Sequence, residues 1–314
     1  MTGVSGQDGS YLAEQVLAEG AEVFGLVRPG HGPVPEGVQL LEGDLRDLAS
    51  LQRAVAACRP DEVYNLAAAA FVPGSVADPA ATDAINSLGV ENLAAALASG
   101  ASSARLCHAS SSEIFAAAMG RPCREDDAPA PNTPYGESKA RAHRFVAGLR
   151  QRGVFACSAI LFNHESPRRP PRFVTRKITM AAARIARGLQ QTVTLGNLDA
   201  VRDWGYAPEY VEAMRRMMRA DVARDYVVAT GRAATVRDFA RLAFARVGLD
   251  WEDRVLQDLA FVRSTDATLR IGDPSRIRRE LGWQATTTLE ELVRIMVDAD
   301  LAHIDKIDAG GAAD

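Results

Sequence analysis

The amino-acid sequence predicts an α/β protein built on a doubly wound parallel sheet, followed by a smaller α/β lobe. Over residues 1–162, short apolar runs alternate with stretches of helical periodicity, which is typical of βαβ units and a parallel sheet. After Asn163 this alternation is replaced by short strands mixed with helices. We therefore expect a first domain over 1–162, a lobe over 163–307 with segments that return to the first domain, and a flexible tail over 308–314.

The elements follow from the pattern of apolar residues along the chain. A first helix follows the opening glycines and places Leu12, Val16 and Leu17 on one face. The strands expected in the first domain cover residues 22–28, 38–45, 62–68, 105–110 and 154–162. The helices expected between them cover 48–57, 79–98 and 135–151. The lobe is expected to contain strands at 193–196 and 226–230 and helices at 172–187, 208–219, 235–247 and 288–301.

Composition and charge exclude several classes of protein. Hydrophobic residues make up 47% of the chain and charged residues 24%, which is ordinary for a globular protein and excludes disorder. The net charge of −4 argues against nucleic-acid binding, because a general phosphate binder is clearly basic. No apolar run approaches the roughly 18 residues of a membrane span, and no charged-then-apolar leader precedes the first motif. The 4 cysteines form no CxxC pair, so we expect reduced thiols, no metal site and a cytoplasmic protein.

A glycine pattern near the start, Gly3-x-x-Gly6-x-x-Gly9, predicts a dinucleotide-binding turn. It lies directly ahead of the first helix, whose N-terminal amides carry partial positive charge and cradle a pyrophosphate when no side chain blocks the approach. By itself the pattern is weak, and a plain glycine-rich turn is the alternative. Its position at the head of an alternating β/α series favours a Rossmann-like nucleotide site.

The end of the next strand bears on the choice between the two nicotinamide cofactors. Enzymes that use NAD usually carry an acidic residue about 20 residues after the glycines, where it binds the ribose 2′-hydroxyl. Here Arg28 takes that position. A cation facing a 2′-phosphate favours NADP, and a solvated surface arginine is the alternative interpretation.

The strand that should precede the glycines is nearly absent. Dinucleotide-binding domains have a strand of about five residues there, whereas only Met1 and Thr2 precede Gly3. We therefore expect a truncated first strand that leaves two neighbouring strands unpaired. Our hypothesis is a start site placed too late, with a valine GTG codon inside the strand read as the initiator.

A tyrosine and a lysine share one face of a later helix, in the sequence Tyr135-Gly-Glu-Ser-Lys139. Lysine is scarce, since only Lys139, Lys177 and Lys306 occur among 36 basic residues, so this Y-x-x-x-K match is informative. A nearby ammonium lowers the pKa of a phenol from its reference value of about 10. Tyr135 is then expected to take a proton from a sugar hydroxyl while hydride leaves the same carbon.

A serine run ending in Glu113 follows the strand that precedes this helix. Parallel sheets carry their chemistry outside the carboxyl ends of the strands, which is where this run falls. Ser111 is expected to hydrogen-bond the reacting hydroxyl, and Glu113 points to the same side in extended geometry. A carboxylate there suits removal of a proton next to a ketone and its return to a leaving hydroxyl, which dehydration requires and epimerisation does not. A serine-rich turn with a solvated glutamate is the alternative.

The chain resembles the GDP-mannose 4,6-dehydratase family, within the extended short-chain dehydrogenases/reductases. The resemblance runs nearly from end to end and is most specific in the strings NHESPRR at 163–169 and GNLDAxRDWG at 196–205. The other matching stretches are residues 2–14, 60–68, 110–113, 173–178, 248–253 and 292–297. The resemblance implies a Rossmann-like domain, a smaller substrate lobe, NADP as cofactor and GDP-mannose or a related nucleotide sugar as substrate.

The resemblance also implies an internal redox cycle. Tyr135, supported by Lys139 and Ser111, would assist hydride transfer from C4 to NADP⁺. Glu113 would remove the C5 proton and help to expel the C6 hydroxyl, and the hydride would return to C6 to give GDP-4-keto-6-deoxymannose. The implied cofactor-binding residues are Gly3, Gly6, Gln7, Asp8, Gly9, Arg28, Asp44, Leu45, Leu66, Ala67, Ala68, Lys139, His164 and Arg169. The implied substrate-binding residues are Asn163, Lys177, Arg202 and Arg263.

Several positions depart from the family pattern. Residues 67–71 read Ala-Ala-Ala-Ala-Phe where the family has Ala-Ala-Gln-Ser-His, and the loop after Arg28 lacks an Arg-Arg-Ser-Ser segment. The fold family implies a homodimer through the helices near 79–98 and 135–151, and the shortened loop argues against a tetramer. Two alternatives stay open: a 4-reductase or C4-epimerase of a related nucleotide sugar, and a non-catalytic NADP-binding regulator on the same fold.

Overall fold

A computed structural model describes residues 1–115, 120–258 and 270–310 of the chain, without the side chains of 308–310. Its strands are β1 Phe24–Val27, β2 Gln39–Glu42, β3 Glu62–Asn65, β4 Arg105–Ser111, β5 Ala156–Leu161, β6 Asn163–Glu165, β7 Val193–Leu195, β8 Val201–Arg202, β9 Trp204–Tyr206, β10 Tyr226–Val228, β11 Ala234–Thr235 and β12 Val255–Gln257. Its α-helices are α1 Gln7–Leu17, α2 Leu48–Cys58, α3 Val72–Ala77, α4 Pro79–Asp83, α5 Gly89–Gly100, α6 Pro134–Gln151, α7 Val174–Ala186, α8 Ala207–Arg219, α9 Val236–Arg246, α10 Ser275–Leu281 and α11 Leu289–Gly310. A 3₁₀ turn, Ser112–Ile114, follows β4.

The central sheet is parallel and has a nearly missing strand at its centre. β3, β4, β5 and β10 pair side by side in that order, and β1 pairs with β2. Thr2 joins the two parts, because it forms parallel bridges to Leu26 of β1 and to Asn65 of β3. A cavity of about 550 Å³, whose lining includes Phe24 and Val63, lies between β1 and β3. The predicted α/β class with a parallel sheet is thus confirmed.

Helices cover both faces of this sheet, as a doubly wound fold requires. On one face α2, α5 and α6 bury a cluster that includes Leu51, Leu93 and Val146. On the other face α1 and α8 bury Leu12 and Met214 against the strands. Because apolar burial on both faces is the main favourable contribution to folding, the strands are fixed in place and their carboxyl ends stay open at one edge.

A second lobe follows the sheet domain. Its core lies between α7, α9 and α11 and includes Ile178, Phe239, Phe244 and Met296. β10 and α8 come from the second half of the chain but pair or pack with the first sheet. The domain division at residue 162 stays a prediction. Within the ranges that the structure covers, no helix is long and apolar enough to cross a membrane.

The single helix predicted over 79–98 is wrong in detail. Its middle, Ala84–Leu88, is π-helical and separates α4 from α5. Within it the side chain of Asn86 accepts a hydrogen bond from the backbone of Ala69 at 2.8 Å and donates one to Ser138 at 3.1 Å. Such partners lie far away in the sequence, so local periodicity does not reveal the interruption.

Candidate active site

The candidate site lies at the carboxyl ends of the parallel strands. β3 ends at Asn65, β4 at Ser111 and β5 at Leu161, so the segments that follow these strands meet at one edge of the sheet. The glycine turn reaches the same edge because Thr2 lies between β1 and β3. This edge therefore brings together the predicted cofactor-binding and catalytic residues from distant parts of the sequence.

The glycine turn is packed so closely that side chains would not fit. Gly3 has a left-handed backbone (φ +71°), and a Cβ there would lie 2.7 Å from the backbone nitrogen of Ala67. A Cβ on Gly9 would lie 2.2 Å from the carbonyl oxygen of Gly3. Gly6 is the N-cap of α1 and places no side chain over the first amides of the helix. This geometry suits close approach of a diphosphate to the helix N-terminus.

Thr2 fixes the glycine turn to the end of β3. Its hydroxyl donates a hydrogen bond to Asn65 Oδ1 at 2.7 Å. The same oxygen accepts hydrogen bonds from the backbone N–H groups of Leu66 and Ala67, each at 3.1 Å. These hydrogen bonds hold the start of the predicted cofactor-binding segment at 66–68 next to the glycine turn.

Asp8, which is half-buried, and His164, which is buried, form a pair at the first turn of α1. Nε2 of His164 lies 2.9 Å from Asp8 Oδ2, and Nδ1 of the same ring lies 2.7 Å from the carbonyl oxygen of Phe162. Burial alone would raise the pKa of Asp8, but the charge and hydrogen bond of His164 outweigh it and lower the pKa to about 2. Burial alone would lower the pKa of His164, and the charge of Asp8 outweighs it, so this pKa is raised. Gln7 is fixed beside this pair by a hydrogen bond of 2.9 Å from Ser166.

Tyr135 and Lys139 lie one helical turn apart in the first turns of α6, as their spacing predicts. The side chain of Ser111 lies near the Tyr135 phenol and lowers its pKa, and the ammonium of Lys139 donates a hydrogen bond to the carbonyl oxygen of Ala109 at 2.8 Å. Burial lowers the pKa of Lys139 to about 8. Burial raises the pKa of Tyr135, against the opposing effects of Ser111 and Arg169. The sequence predicted a lowered pKa for this phenol, and burial reverses the direction because the ionised form is poorly solvated there.

Glu113 lies in the 3₁₀ turn Ser112–Ile114 and packs directly against the start of α6. The extended geometry predicted for Glu113 is therefore wrong, because β4 ends at Ser111. A Cβ on Gly136 would lie 2.4 Å from the carbonyl oxygen of Glu113, so the glycine permits this contact. The Glu113 N–H donates a hydrogen bond of 3.2 Å to the hydroxyl of Ser111. The Glu113 side chain is 21% exposed and its carboxylate contacts the guanidinium of Arg270. The carboxylate is thus accessible from the site and paired with a cation on its other side.

Arg270 is a site residue that the sequence analysis missed. Its side chain is only 3% exposed, and its backbone forms a parallel bridge with Arg202. The sequence does carry a signal for it, because an arginine stands between the apolar residues Leu269 and Ile271. A charged residue within an apolar run is a candidate for a buried, paired ion.

The residues predicted to bind the adenosine end lie where β1 and β2 leave the sheet. Arg28 directly follows β1 and is exposed. Asp44 forms an ion pair of 2.6 Å with Arg46. The hydrogen bond from Arg46 is the main cause that lowers the pKa of Asp44 to about 2, and the charge of Arg28 contributes. Leu45 is buried, and its Cβ would lie 2.8 Å from a Cβ on Gly89. It is therefore a closely packed apolar side chain that follows Asp44.

Arg169 is held close to the reacting groups. Its Nε lies 3.1 Å from the carboxylate of Glu165, which also accepts a hydrogen bond of 2.6 Å from Thr175. The guanidinium carbon lies 3.7 Å from the ring centroid of Phe173. Its charge reaches Tyr135, where it favours the ionised phenol. Arg169 therefore contributes positive charge inside the site rather than in solvent.

The residues predicted to bind the nucleotide sugar lie towards the second lobe. Asn163 begins β6, which pairs with β9. Lys177 on α7 donates to a backbone carbonyl of β7 at 2.7 Å, and Arg202 in β8 donates to the carbonyl of the preceding residue at 2.8 Å. Arg263 lies outside the described residues. In the described parts of the chain, no group of three or more His, Cys, Asp or Glu side chains is placed to hold a metal ion.

Comparison with known proteins places this sequence in one family. A model of the family described as GDP-mannose 4,6 dehydratase matches residues 1–296. The chain belongs to the GDP-mannose 4,6-dehydratase family. GDP-mannose 4,6 dehydratase 1 of Arabidopsis thaliana is 41% identical over 322 residues, which cover 96% of this chain and 89% of the relative. This member of the GDP-mannose 4,6-dehydratase family is therefore an enzyme of nucleotide-sugar 4,6-dehydration.

Solved structures share the fold of this GDP-mannose 4,6-dehydratase family member. UDP-glucose 4-epimerase from Thermus thermophilus, in complex with NAD, has a TM-score of 0.84 at 29% identity over 95% of this chain and 97% of its own. RMD from Pseudomonas aeruginosa, complexed with NADPH, has a TM-score of 0.82 at 26% identity over 96% of this chain and 97% of its own. The Rossmann-like fold is thus confirmed, and the reductase, epimerase and regulator alternatives have less support than the dehydratase.

Proposed function

We propose that this enzyme converts GDP-mannose to GDP-4-keto-6-deoxymannose with NADP as its cofactor. The observation that carries the proposal is the convergence of Ser111, Glu113 and Tyr135 at the carboxyl end of β4, beside the glycine turn. Oxidation at C4 followed by loss of the C6 hydroxyl requires a group that takes the hydroxyl proton and a carboxylate that takes the C5 proton. The three side chains supply both functions at one place.

The glycine turn and the residues around it fit a dinucleotide. The backbone at Gly3 and Gly9 leaves no room for a Cβ, which is what close approach of a diphosphate requires. Arg28 supports NADP over NAD, because an exposed guanidinium after β1 suits a 2′-phosphate. When bound, NADP⁺ supplies the hydride acceptor and a positive ring that favours ionisation of the nearby phenol. The residues that would hold it are Gly3, Gly6, Gln7, Asp8, Gly9, Arg28, Asp44, Leu45, Leu66, Ala67, Ala68, Lys139, His164 and Arg169.

In the first step Tyr135 removes the proton of the C4 hydroxyl. Ser111 orients this hydroxyl, since its side chain lies near the Tyr135 phenol. Lys139 lies one turn further along α6, and the charge of Arg169 acts on Tyr135 from the segment after β6. The charge of Arg169 opposes the effect of burial and stabilises the phenolate when it forms.

In the second step Glu113 acts on the 4-ketone. Its carboxylate takes the C5 proton, so the C5–H bond breaks and its electron pair is delocalised into the ketone. As the C5–C6 double bond forms, the C6–O bond breaks, and the proton held by Glu113 leaves with the hydroxyl as water. The hydride taken from C4 then adds to C6 and forms the methyl group, while C5 takes a proton from solvent and Tyr135 releases to solvent the proton that it took from the C4 hydroxyl. The 21% exposure of the Glu113 side chain leaves it accessible for this work.

We assign the nucleotide part of the substrate to Asn163, Lys177, Arg202 and Arg263. Guanidinium and ammonium groups suit the diphosphate of a nucleotide sugar. We further propose a cytoplasmic homodimer, rather than a tetramer, that pairs α5 and α6 of two copies as a four-helix bundle. The consecutive alanines within α5 support this proposal, since small side chains allow helices to approach closely.

GDP-mannose carrying deuterium at C4 tests the proposed reaction. After incubation with NADP⁺, the NMR spectrum of the product should show the deuterium on the new C6 methyl group. Loss of the label to solvent, or its retention at C4, would overturn the proposal.

A variant of the proposed base provides the matching control. E113Q should abolish water loss, while E137Q, which changes an exposed glutamate on α6, should keep the turnover of the original enzyme. Unchanged turnover in E113Q would contradict the assigned base.

A further inference from the structure

Arg270 is a buried cation whose position the steps above do not use. Its guanidinium contacts Oε1 of Glu113, and its side chain is 3% exposed. Its Nε has no hydrogen-bond partner among the residues that the structure describes. Burial lowers the pKa of Arg270 to about 10, which still leaves it charged at neutral pH. A buried guanidinium depends on its counter-ion, so the pair with Glu113 is the contact that explains its place.

The backbone directly after Arg270 is held by two hydrogen bonds. The N–H of Gly272 donates to the buried carboxylate of Asp203 at 3.3 Å. The carbonyl of Ile271 accepts a hydrogen bond of 2.8 Å from the N–H of Cys123. The guanidinium is therefore presented to Glu113 from anchored chain, which suits a group that must hold another side chain in one orientation.

The charged groups around Glu113 come from several elements. α6 brings Tyr135 and Lys139, both buried, and the segment after β6 brings Arg169. The segment after residue 269 brings Arg270. Of these described groups, Arg270 is the cation in direct contact with the Glu113 carboxylate. Its charge therefore acts on that carboxylate more strongly than the others do, since Coulomb interaction weakens with distance.

We infer that Arg270 is the positioning residue of Glu113: its guanidinium keeps this side chain a carboxylate and fixes Oε1, so that Oε2 is presented to the sugar. The inference rests on the proposed role of Glu113 as the base. An adjacent cation favours the ionised carboxylate at the start of the cycle. It also makes the protonated form a stronger acid, which helps Glu113 to pass its proton to the leaving C6 hydroxyl.

The pH dependence of kcat in R270Q and R270K tests the inference. Removal of the cation makes a carboxylate easier to protonate, so the acid limb of the profile in R270Q should move to higher pH by roughly 1–3 units. R270K keeps the charge and should leave the acid limb in place while kcat falls, because an ammonium does not reproduce the contact of the guanidinium. Formation of the 4-keto product is followed by its absorbance in alkali.

R150Q is the matched control. Arg150 also forms an ion pair, with Asp225 at 2.6 Å, but beside the amino end of β5 and far from Glu113. R150Q should lose thermal stability and keep the acid limb of the original enzyme. A loss of stability in R270Q without movement of the limb would mean a merely structural role and would overturn the inference.

The inference and the proposed function fail in different ways. If the unaltered enzyme makes no 4-keto-6-deoxy sugar, the proposed function fails. If the unaltered enzyme is active, E113Q is inactive and the acid limb of R270Q stays in place, only the role of Arg270 fails. If R270Q does not fold, R270K serves as the test. A shift of the acid limb of its kcat profile by one pH unit or more would contradict the role of the charge.

Discussion

The two walls of the active site rest on very different supports. We call Ser111, at the end of β4, and Tyr135, at the start of α6, the catalytic wall. It is supported by β4, which pairs with β3 on one side and with β5 on the other. We call the glycine turn the cofactor wall. It is held by Thr2, which bridges β1 and β3, and a cavity of about 550 Å³ lies between these two strands. One sheet edge thus combines a wall held by continuous strand pairing with a wall held by a few local contacts.

This difference separates two kinds of outcome. Side chains of the catalytic wall are expected to control rate, because the strands beneath them do not depend on a single hydroxyl or carboxylate. Residues of the cofactor wall are expected to control cofactor affinity and stability, because the turn is held by contacts such as the Asp8–His164 pair. The variants below test this separation.

Y135F should have the largest effect, and on rate alone. Removal of a group that transfers a proton in the reaction typically lowers the rate by about 10²–10⁴-fold. Loss of this single hydroxyl should change the free energy of unfolding by only about 1 kcal/mol. Product formation and urea unfolding measure the two quantities.

Y226F serves as the control for Y135F. Tyr226 lies on β10, and its hydroxyl donates a hydrogen bond of 3.1 Å to the carboxylate of Glu280. The variant should therefore lose stability and keep the rate of the unaltered enzyme. A turnover of Y135F within tenfold of the unaltered enzyme would break the proposed division between the walls.

G9A should reduce cofactor affinity. The new Cβ would lie 2.2 Å from the carbonyl oxygen of Gly3 and 2.7 Å from the Cα of Val4, and both are backbone atoms that move only if the turn shifts. Overpacking of this kind costs about 1–3 kcal/mol, so the dissociation constant for NADP⁺, measured by calorimetry, should rise roughly tenfold or more.

G148A is the matched glycine variant in α6. Its Cβ would meet only the flexible end of Arg152 at 3.5 Å, so the variant should bind NADP⁺ normally and gain about 0.5–1 kcal/mol of stability from helix propensity. Equal affinities of G9A and G148A would show that the turn is less tightly constrained than its packing indicates.

D8N should have the smallest effect, a loss in the free energy of unfolding that depends on pH. The pKa of Asp8 is lowered to about 2, so its stabilising contribution is present above pH 4 and is lost as the pH falls towards 2. The pKa of His164 is raised above 6.5, so its contribution is present below pH 6.5 and is lost as the pH rises through the raised value. D8N should therefore lose about 1–2 kcal/mol at pH 5 and less at pH 9, as measured by urea unfolding.

D44N distinguishes a titrating partner from a permanent cation. Asp44 also has a pKa lowered to about 2, but its main partner is Arg46, which keeps its charge across this range. The loss in D44N should be the same at pH 5 and pH 9. A D8N loss that is equally independent of pH would show that His164 does not titrate with Asp8.

The sequence could predict which of the proposed catalytic residues lie near one another for a physical reason, and their roles stay predictions. Tyr135 and Lys139 are separated by one helical turn, and Ser111 lies where a strand ends, so both relations are local. The same locality identified Gly3 and Gly9 at the helix start.

Features that depend on distant contacts were not predictable in this way. Arg270 meets Glu113 only because Asp203 and Cys123 anchor the chain beside it. The π-helical segment depends on partners of Asn86 far away in the sequence. The direction of the pKa of Tyr135 depends on burial, which spacing along a helix does not reveal.

The hydroxyl of Thr2 has a wider consequence for sequence comparison. It uses its proton for Asn65 and its lone pairs for the amides of Leu66 and Ala67, so alanine or valine at position 2 would leave buried polar groups without partners. A motif search that scores only glycines and catalytic groups would ignore this position. In this chain the Thr2 hydroxyl is therefore as much a part of the nucleotide turn as the glycines that follow it.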